Sequence, residues 1–332
     1  MLILKTLGGF PGRPYRRVLR SLKPVRVAGQ MERVSVIIPT YNQAQFLAEA
    51  IESAVGQSLP PDEILIIDND STDNTAEIAA RYPQARYVHQ PDQGSCGSTN
   101  RGIRDATGYY VVILHSDDRL LPHHLETSSR AFQAHPEAAF VCGDYRWFGA
   151  EGTWHVHRCR PQPDYYGTLL RLNFIGPPVV VMFKRHILLH VGGLRDEFDG
   201  AEDQELYLRI ARTYPIHCHH EVIAEYRRHP AQASQKLVKM LAASTSALYA
   251  QQPYIKGHPH YTEAYWTGIR HRQQLYGEAI FWEGVRSAKA GHWGKAARCL
   301  LVLAQYDRHD LINPLYRKLS RLFERSAPIQ PS

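Results

Sequence analysis

VSVIIPTYN (residues 34–42) and YYVVILHSDD (residues 109–118) decide the architecture of this chain. Each is a short run of β-branched and aromatic residues that stops abruptly in polar groups. Pro39-Thr40-Tyr41-Asn42 closes the first and His115-Ser116-Asp117-Asp118 the second. Runs that are apolar at nearly every position, rather than at alternate ones, suit strands buried on both faces of a parallel sheet. EILIID (63–68), ARYVHQ (85–90) and AAFVCG (138–143) repeat the pattern. The intervening stretches Ala44–Val55, Asn74–Arg81, Gly97–Ala106 and Pro122–Ala134 predict helices. Asn74 with Glu77 three residues on reads as a helix start, and Pro122 suits a first turn. The expected fold class is therefore α/β, a Rossmann-like, mostly parallel sheet with helices on both faces.

Outward from this core the pattern loosens. WHVHRC (154–159) reads as an alternating strand, PPVVVMFK (177–184) as a buried one, and Ala201–Thr213 as an amphipathic helix. Beyond Arg227 the chain is almost wholly helical, over Ser234–Gln251, Tyr265–Ala290 and Lys295–Tyr306. The reading divides the chain into a basic N-terminal extension (1–32), an α/β domain (33–235) and a C-terminal helical region (236–332).

In an open α/β sheet, ligands bind beyond the carboxyl ends of the strands, so the residues closing each strand are where chemistry is expected. Three of these closures are acidic or polar: Asp68-Asn69-Asp70-Ser71-Thr72-Asp73, His115-Ser116-Asp117-Asp118, and, opening a later helix, Glu202-Asp203. Adjacent carboxylates at the end of a buried strand are costly unless a cation sits on them, and hard oxygen ligands with substrate phosphates suit Mg²⁺ or Mn²⁺. Taken alone, each acid also has an ordinary role, as a turn residue or as a helix-capping group. No GxGxxG and no Walker-type loop is present, which removes the usual dinucleotide and kinase readings.

Composition bounds the partners. The 332 residues carry a net charge of +7, with Arg13, Arg16, Arg17, Arg20, Lys23 and Arg26 crowded before the first acid, Glu32. Leu2, Ile3, Leu4, Leu7 and Phe10 precede them, and Arg317, Lys318, Arg321 and Arg325 follow near the end. Each basic residue near an anionic leaflet contributes about 1 kcal/mol, so peripheral contact with an anionic membrane is expected without a spanning helix. Five cysteines with no CxxC pair argue against a disulfide framework or a structural zinc site, and so for a cytoplasmic protein, peripheral on the inner face of the membrane. His155, His157 and Cys159, and the run His217-Cys218-His219-His220, lack a metal-binding spacing and are expected to pack.

VSVIIPTYNQAQFLAEAIESAVGQS, IDNDSTDNT, NRGIRDATGYYVVILHSDD, VGGLRDEF with GAEDQELYLRIA, and YRRHPAQAS follow one another in this order. Together they resemble glycosyltransferase family 2, with its GT-A fold and inverting chemistry, over about Val34 to Gln235. The resemblance implies that Pro39, Thr40 and Tyr41 lie against a donor nucleotide, Tyr41 near the base. It puts Asp68 and Asn69 where relatives usually carry two acids, the second reading the base. It makes Asp117 and Asp118 the metal motif, with Asp118 the main ligand and Asp117 nearer the donor ribose and metal, Asp203 the catalytic base, and His229 a late histidine that approaches the metal or diphosphate. The chain departs from the usual pattern at His115, where an Asp often opens the metal motif, and at Asn69-Asp70, which replaces a frequent Asp-Gly. An amide offers a donor and an acceptor where a carboxylate only accepts. Asn69 therefore predicts a UDP- or dTDP-sugar over a GDP-sugar, with Asp70 as a compensating acid if the turn differs.

The implied reaction moves a sugar from a nucleotide-diphospho-sugar donor to a saccharide or lipid-linked acceptor hydroxyl. A sugar nucleotidyltransferase would carry a Gly-rich, basic loop after its first strand, and IIPTYNQ (37–43) is neither. A nucleic-acid-binding protein would match the positive charge, but the basic residues cluster at the ends instead of along an aromatic-studded groove, so no nucleic acid is expected.

Overall fold

The sheet is built outward from Val34–Thr40 (β1), every residue of which is buried. In the computed structural model, residues 32–306 are described except 95, 151, 159–160, 162–163, 230–231 and 233–235. The basic extension before Glu32, the basic stretch after Tyr306, and Cys159 lie outside the described residues.

Glu63–Asp68 (β2) and Tyr110–Ile113 (β4) flank β1 in parallel, with Ile38 opposite Ile66 and Ile37 opposite Ile113. Arg86–His89 (β3) adds parallel to β2 at the edge. The connections are the helices Ala44–Val55 (α1), Thr75–Ala79 (α2) and Gly97–Asp105 (α3). Residue size fixes the seating of α3 on the sheet. A Cβ at Gly102 would lie 2.3 Å from Ile37 Cγ2, so only glycine permits this approach. Helix α2 is shorter than expected. Asn74 holds the N-cap position, as expected, but its side chain makes no cap hydrogen bond; Asp73 Oδ1 instead accepts from the Thr75 amide at 3.1 Å and the Thr75 hydroxyl at 2.6 Å. The same carboxylate accepts from the Ala44 amide, so one side chain fixes the starts of two helices.

Beyond β4 the sheet becomes mixed. The short strand Arg119–Leu120 (β5) and the helix His124–Ala134 (α4) lead into Phe140–Gly149 (β6), the expected fifth strand, which does not lie beside β4. Val181–Lys184 (β8) inserts between them, antiparallel to both, with Val111 opposite Phe183 and Val141 opposite Met182. PPVVVMFK thus supplies a single 3₁₀ turn and then β8. Gly152–His157 (β7) pairs with the far half of β6, and His217–Arg227 (β9) runs parallel along its other edge. β5 closes the order β3-β2-β1-β4-β8-β6-β9-β5. His155 and His157 lie over Trp147 and Tyr145, and His217 stacks on His135, so these histidines pack against rings.

The remaining helices are Tyr165–Arg171 (α5), Arg185–Val191 (α6), Glu202–Ala211 (α7), Leu237–Tyr249 (α8), Gln252–Ile255 (α9), Pro259–Lys289 (α10) and Trp293–Tyr306 (α11). From Arg33 onward the described chain forms one compact unit, so the C-terminal helices are not set apart from the sheet. Helix α8 packs on α7, and α10 packs on α5 and α8. Leu241, Ile280, Cys299 and Leu303 form the core shared by α8, α10 and α11. Among the described residues no helix is long and apolar enough to cross a membrane.

Candidate active site

A cleft of about 790 Å³ opens at the carboxyl ends of β1, β2 and β4 and is walled on its far side by α8 and α10. Thr40, at the end of β1, is 3% exposed with an unpaired Oγ1, whereas Tyr41 beside it is 54% exposed and faces the cleft. Pro39 lies in the same wall.

The turn after β2 separates its three polar residues. Asp68 is buried, and its two oxygens accept from the Ser71 amide at 3.0 Å and the Tyr87 hydroxyl at 2.5 Å. It shapes the turn instead of lining the cleft. Asp70 points away: it sits in a left-handed conformation at φ 71° and pairs with His89 at 3.2 Å, so it does not compensate for Asn69. Asn69 does line the cleft, but its amide is already engaged. Its Oδ1 accepts from Gln90 Nε2 at 2.8 Å and the Gln93 amide at 3.2 Å, and its Nδ2 donates to Asp92 Oδ1 at 2.6 Å. Asp92, which the sequence reading missed, also accepts from the Gly94 amide through Oδ1, leaving Oδ2 as the carboxylate oxygen of this wall.

The turn after β4 holds the metal-type group. One ligand atom from each of His115, Asp117 and Asp118 lies within 4.8 Å of the others. Asp118 is 1% exposed. Its Oδ1 accepts from the Arg227 amide at 3.0 Å, and its Oδ2 is buried with no hydrogen bond. Burial, and then the neighbouring Asp117 charge, push the Asp118 carboxyl well above the usual carboxylate range. An orphaned, desolvated carboxylate oxygen beside a second carboxylate and an imidazole is a donor set that fits Mg²⁺ or Mn²⁺. Asp117 Oδ2 meets His229 Nε2 at 3.0 Å, which brings the late histidine to the same group.

Arg227 braces this turn from behind. It donates through Nε to the Asp117 carbonyl at 2.8 Å and through Nη2 to Glu49 at 2.7 Å, between the rings of Phe46 and Phe148. Glu49 also binds Arg119, which pairs with Glu225, so α1, β5 and β9 are tied beneath the acids. Only the position of Arg227 at the end of a strand, one residue before Arg228-His229, could have marked it in the sequence.

Glu202 and Asp203 open α7, where the helix dipole favours acids. Their roles diverge. Glu202 accepts from the Gly200 amide at 2.6 Å and serves the turn. Asp203 uses Oδ1 on the adjacent Gln204 amide and turns toward the cleft. Desolvation in this wall, followed by the Glu202 charge, raises its pKa to about 7. Tyr145 lines the same cleft. Its hydroxyl is pushed up to about 12, first by burial, with the charges of Asp118 and Asp203 adding to it. The structure thus brings Pro39, Thr40, Tyr41, Asn69, Asp117 and Asp203 around one cleft, joins Asp118 and His229 to it through Asp117, and leaves Asp68 and Asp70 outside its lining.

Residues 35–192 match the model of glycosyl transferase family 2. An uncharacterised protein of Mycobacterium tuberculosis is 29% identical over 238 residues, covering 66% of this chain and 73% of that one. The O-antigen biosynthesis protein RfbC of Myxococcus xanthus is 31% identical over 207 residues, 59% of this chain but 16% of that protein. A Rickettsia felis glycosyltransferase is 28% identical over 61% of this chain and 35% of its own length. The chain therefore spans only a minor part of these last two relatives. Among solved structures, the fold is shared with the mannosyltransferase PcManGT of Pyrobaculum calidifontis in complex with GDP-Man and Mn²⁺. The TM-score is 0.56 at 21% identity, over 93% of this chain and 87% of that one. It is shared too with S. aureus TarS 1-349 in complex with UDP-GlcNAc, with TM-score 0.53 at 16% identity, over 82% and 91%. Residues 35–192 are thus similar to glycosyl transferase family 2, within a fold shared with these two transferases.

Proposed function

We propose that this chain is an inverting, metal-dependent glycosyltransferase that uses a nucleotide-diphospho-sugar, with Asp203 as general base. The observation that carries this reading is the placement of Asp203 in one cleft with the His115, Asp117 and Asp118 group. Asp203 has a pKa near working pH, as proton abstraction needs, and an oxygen not spent on the helix.

Tyr41 presents its ring to the base, and Thr40 supplies a buried hydroxyl with no other partner. Asp92 Oδ2 offers a single accepting oxygen at the base edge, because Oδ1 is already filled by Asn69 and Gly94. Uracil and thymine present one N–H there, whereas guanine presents N1–H and N2–H₂ together. The donor is accordingly a UDP- or dTDP-sugar, read through Asp92 with Asn69 holding it in place.

Asp117, Asp118, His115 and His229 would hold a divalent cation. Bound there, Mg²⁺ or Mn²⁺ would supply Lewis-acid stabilisation to the departing diphosphate. Asp203 takes the acceptor hydroxyl proton as the oxygen attacks the anomeric carbon opposite the leaving group. One displacement with one base inverts the centre. The acceptor is a saccharide or lipid-linked glycan, in keeping with an O-antigen relative. The test is a panel of UDP-, dTDP- and GDP-sugars read by release of nucleoside diphosphate, with and without Mn²⁺. Turnover of a UDP- or dTDP-sugar that EDTA stops is expected. Turnover unaffected by EDTA removes the metal assignment, and preferential GDP-sugar use removes the base assignment.

A further inference from the structure

Helix α10 crosses α5 so closely at Gly268 that an added Cβ would lie 1.8 Å from the Leu170 carbonyl oxygen. One turn further on, this approach carries Arg272 into the wall of the cleft, where it is 4% exposed. Its Nη1 donates to the Gly268 carbonyl at 2.9 Å and the Arg171 carbonyl at 3.4 Å, and among the described residues no carboxylate pairs with it. Burial lowers its pKa to about 10, which still leaves a full cation at neutral pH. A desolvated cation that meets only neutral oxygens is unfavourable unless an anion completes it.

The same imbalance extends along this wall. Arg228 lies over the Trp147 ring, 5.0 Å from its centroid, and Lys236 is exposed at the rim. Neither has an ion pair among the described residues. Lys239, by contrast, is neutralised by Asp199 at 2.5 Å. The metal-type acids and Asp92, assigned above to the donor, come from the turns that close the parallel strands. Tyr276, one turn on from Arg272, lines the same cleft as Arg272 and Asp203.

We infer that the acceptor bears an anionic group, a phosphate or a carboxylate, which Arg272 receives with help from Arg228 and Lys236 while the hydroxyl to be glycosylated lies at Asp203. This rests on the assignment of Asp203 and the donor side given above. The guanidinium is planar and forked, which suits two oxygens of one phosphate or carboxylate. The anion is bound away from the reacting hydroxyl, so it selects the acceptor without entering the chemistry.

The test titrates full-length enzyme with glucose, glucose 6-phosphate and glucuronate, in the presence of saturating UDP and Mn²⁺ and again without them. At least one anionic sugar should bind tenfold or more tightly than glucose, and the arm that does so identifies phosphate or carboxylate. Arg272→Gln should remove that preference and Arg272→Lys should restore part of it, while UDP affinity stays the same. Melting temperatures of both variants establish that they are folded. Equal affinity for charged and neutral sugars, or a preference that survives Arg272→Gln, overturns the inference. UDP binding is read in the same titrations. Its failure would count against the donor reading, while the anion preference, measured without nucleotide, still decides this one.

Discussion

The wall we assign to the donor and the wall we assign to the acceptor are built in different ways. The donor wall is made of turns that follow consecutive parallel strands, each contributed by fewer than ten neighbouring residues. Asn69 closes β2 and binds Asp92 in the turn after β3, while His115, Asp117 and Asp118 come from the turn after β4. The acceptor wall brings together Trp147 from β6, Arg228 beyond β9, Lys236 before α8, and Arg272 and Tyr276 from α10. Its charge is opposite as well: an orphaned carboxylate oxygen in one, and in the other a buried guanidinium with no carboxylate partner among the described residues. A metal and a nucleotide can be recognised by local sequence, because the chemistry is the same in any protein that handles them. An acceptor is recognised by side chains that only the tertiary fold assembles.

The largest expected effect breaks the donor wall. Asp118→Ala removes the buried ligand oxygen, and with several kcal/mol of charge stabilisation lost, turnover should fall by roughly 10³-fold or more. Near-ultraviolet circular dichroism should be unchanged and Mn²⁺-dependent UDP binding lost. Activity within a few fold of wild type would take Asp118 out of the reaction.

Asp203→Asn tests the junction of the two walls. Turnover should fall by roughly 10²-fold, the usual scale for losing general-base assistance, with donor affinity preserved. Collapse of donor binding at unaltered saturated turnover would instead make Asp203 a donor or metal ligand.

Arg227→Lys keeps the charge but loses the fork that joins Glu49 to the Asp117 carbonyl. Metal affinity should weaken by roughly 10-fold, at the lower end of the range for outer-shell partners. Unchanged affinity would show that the turn holds itself.

The smallest effect sharpens the base assignment. Asp92→Asn exchanges a charged acceptor for an amide and should weaken UDP binding by roughly tenfold, since hydrogen bonds to charged groups contribute about 1.5–3 kcal/mol. Asn69→Asp should weaken it too, by setting a second carboxylate against Asp92. A gain in GDP affinity from Asn69→Asp would restore Asn69 as the direct reader.

The same division explains what the sequence disclosed. β1 to β4 and the acids closing β2 and β4 were legible because apolar runs and polar closures are local features. The helix over Ala44–Val55 was read to its ends for the same reason. The insertion of β8 between β4 and β6 was not, since nothing within a run of apolar residues specifies which neighbour it joins. Asp68, Asn69 and Asp70 were read as one donor-facing turn. A tyrosine hydroxyl, a left-handed residue and a glutamine side chain give them three separate tasks. Asp92 was passed over because an Asp before Gln-Gly is an ordinary turn residue until Asn69 is seen to bind it. Arg272 lies in a helix whose polar residues look solvated until Gly268 draws the helix onto α5.

The account turns on Asp203 acting as a base in a cleft that also holds the donor. The pH dependence of sugar transfer or UDP-sugar hydrolysis, measured at saturating donor and Mn²⁺ for wild type and Asp203→Asn, tests this most directly. A base must be ionised to work, and the folded protein raises this carboxyl to about 7. Wild-type turnover should therefore climb as pH rises through about 7 and level off above it, whereas Asp203→Asn should be slower and lack that limb. A variant that keeps both the limb and the rate would contradict the account.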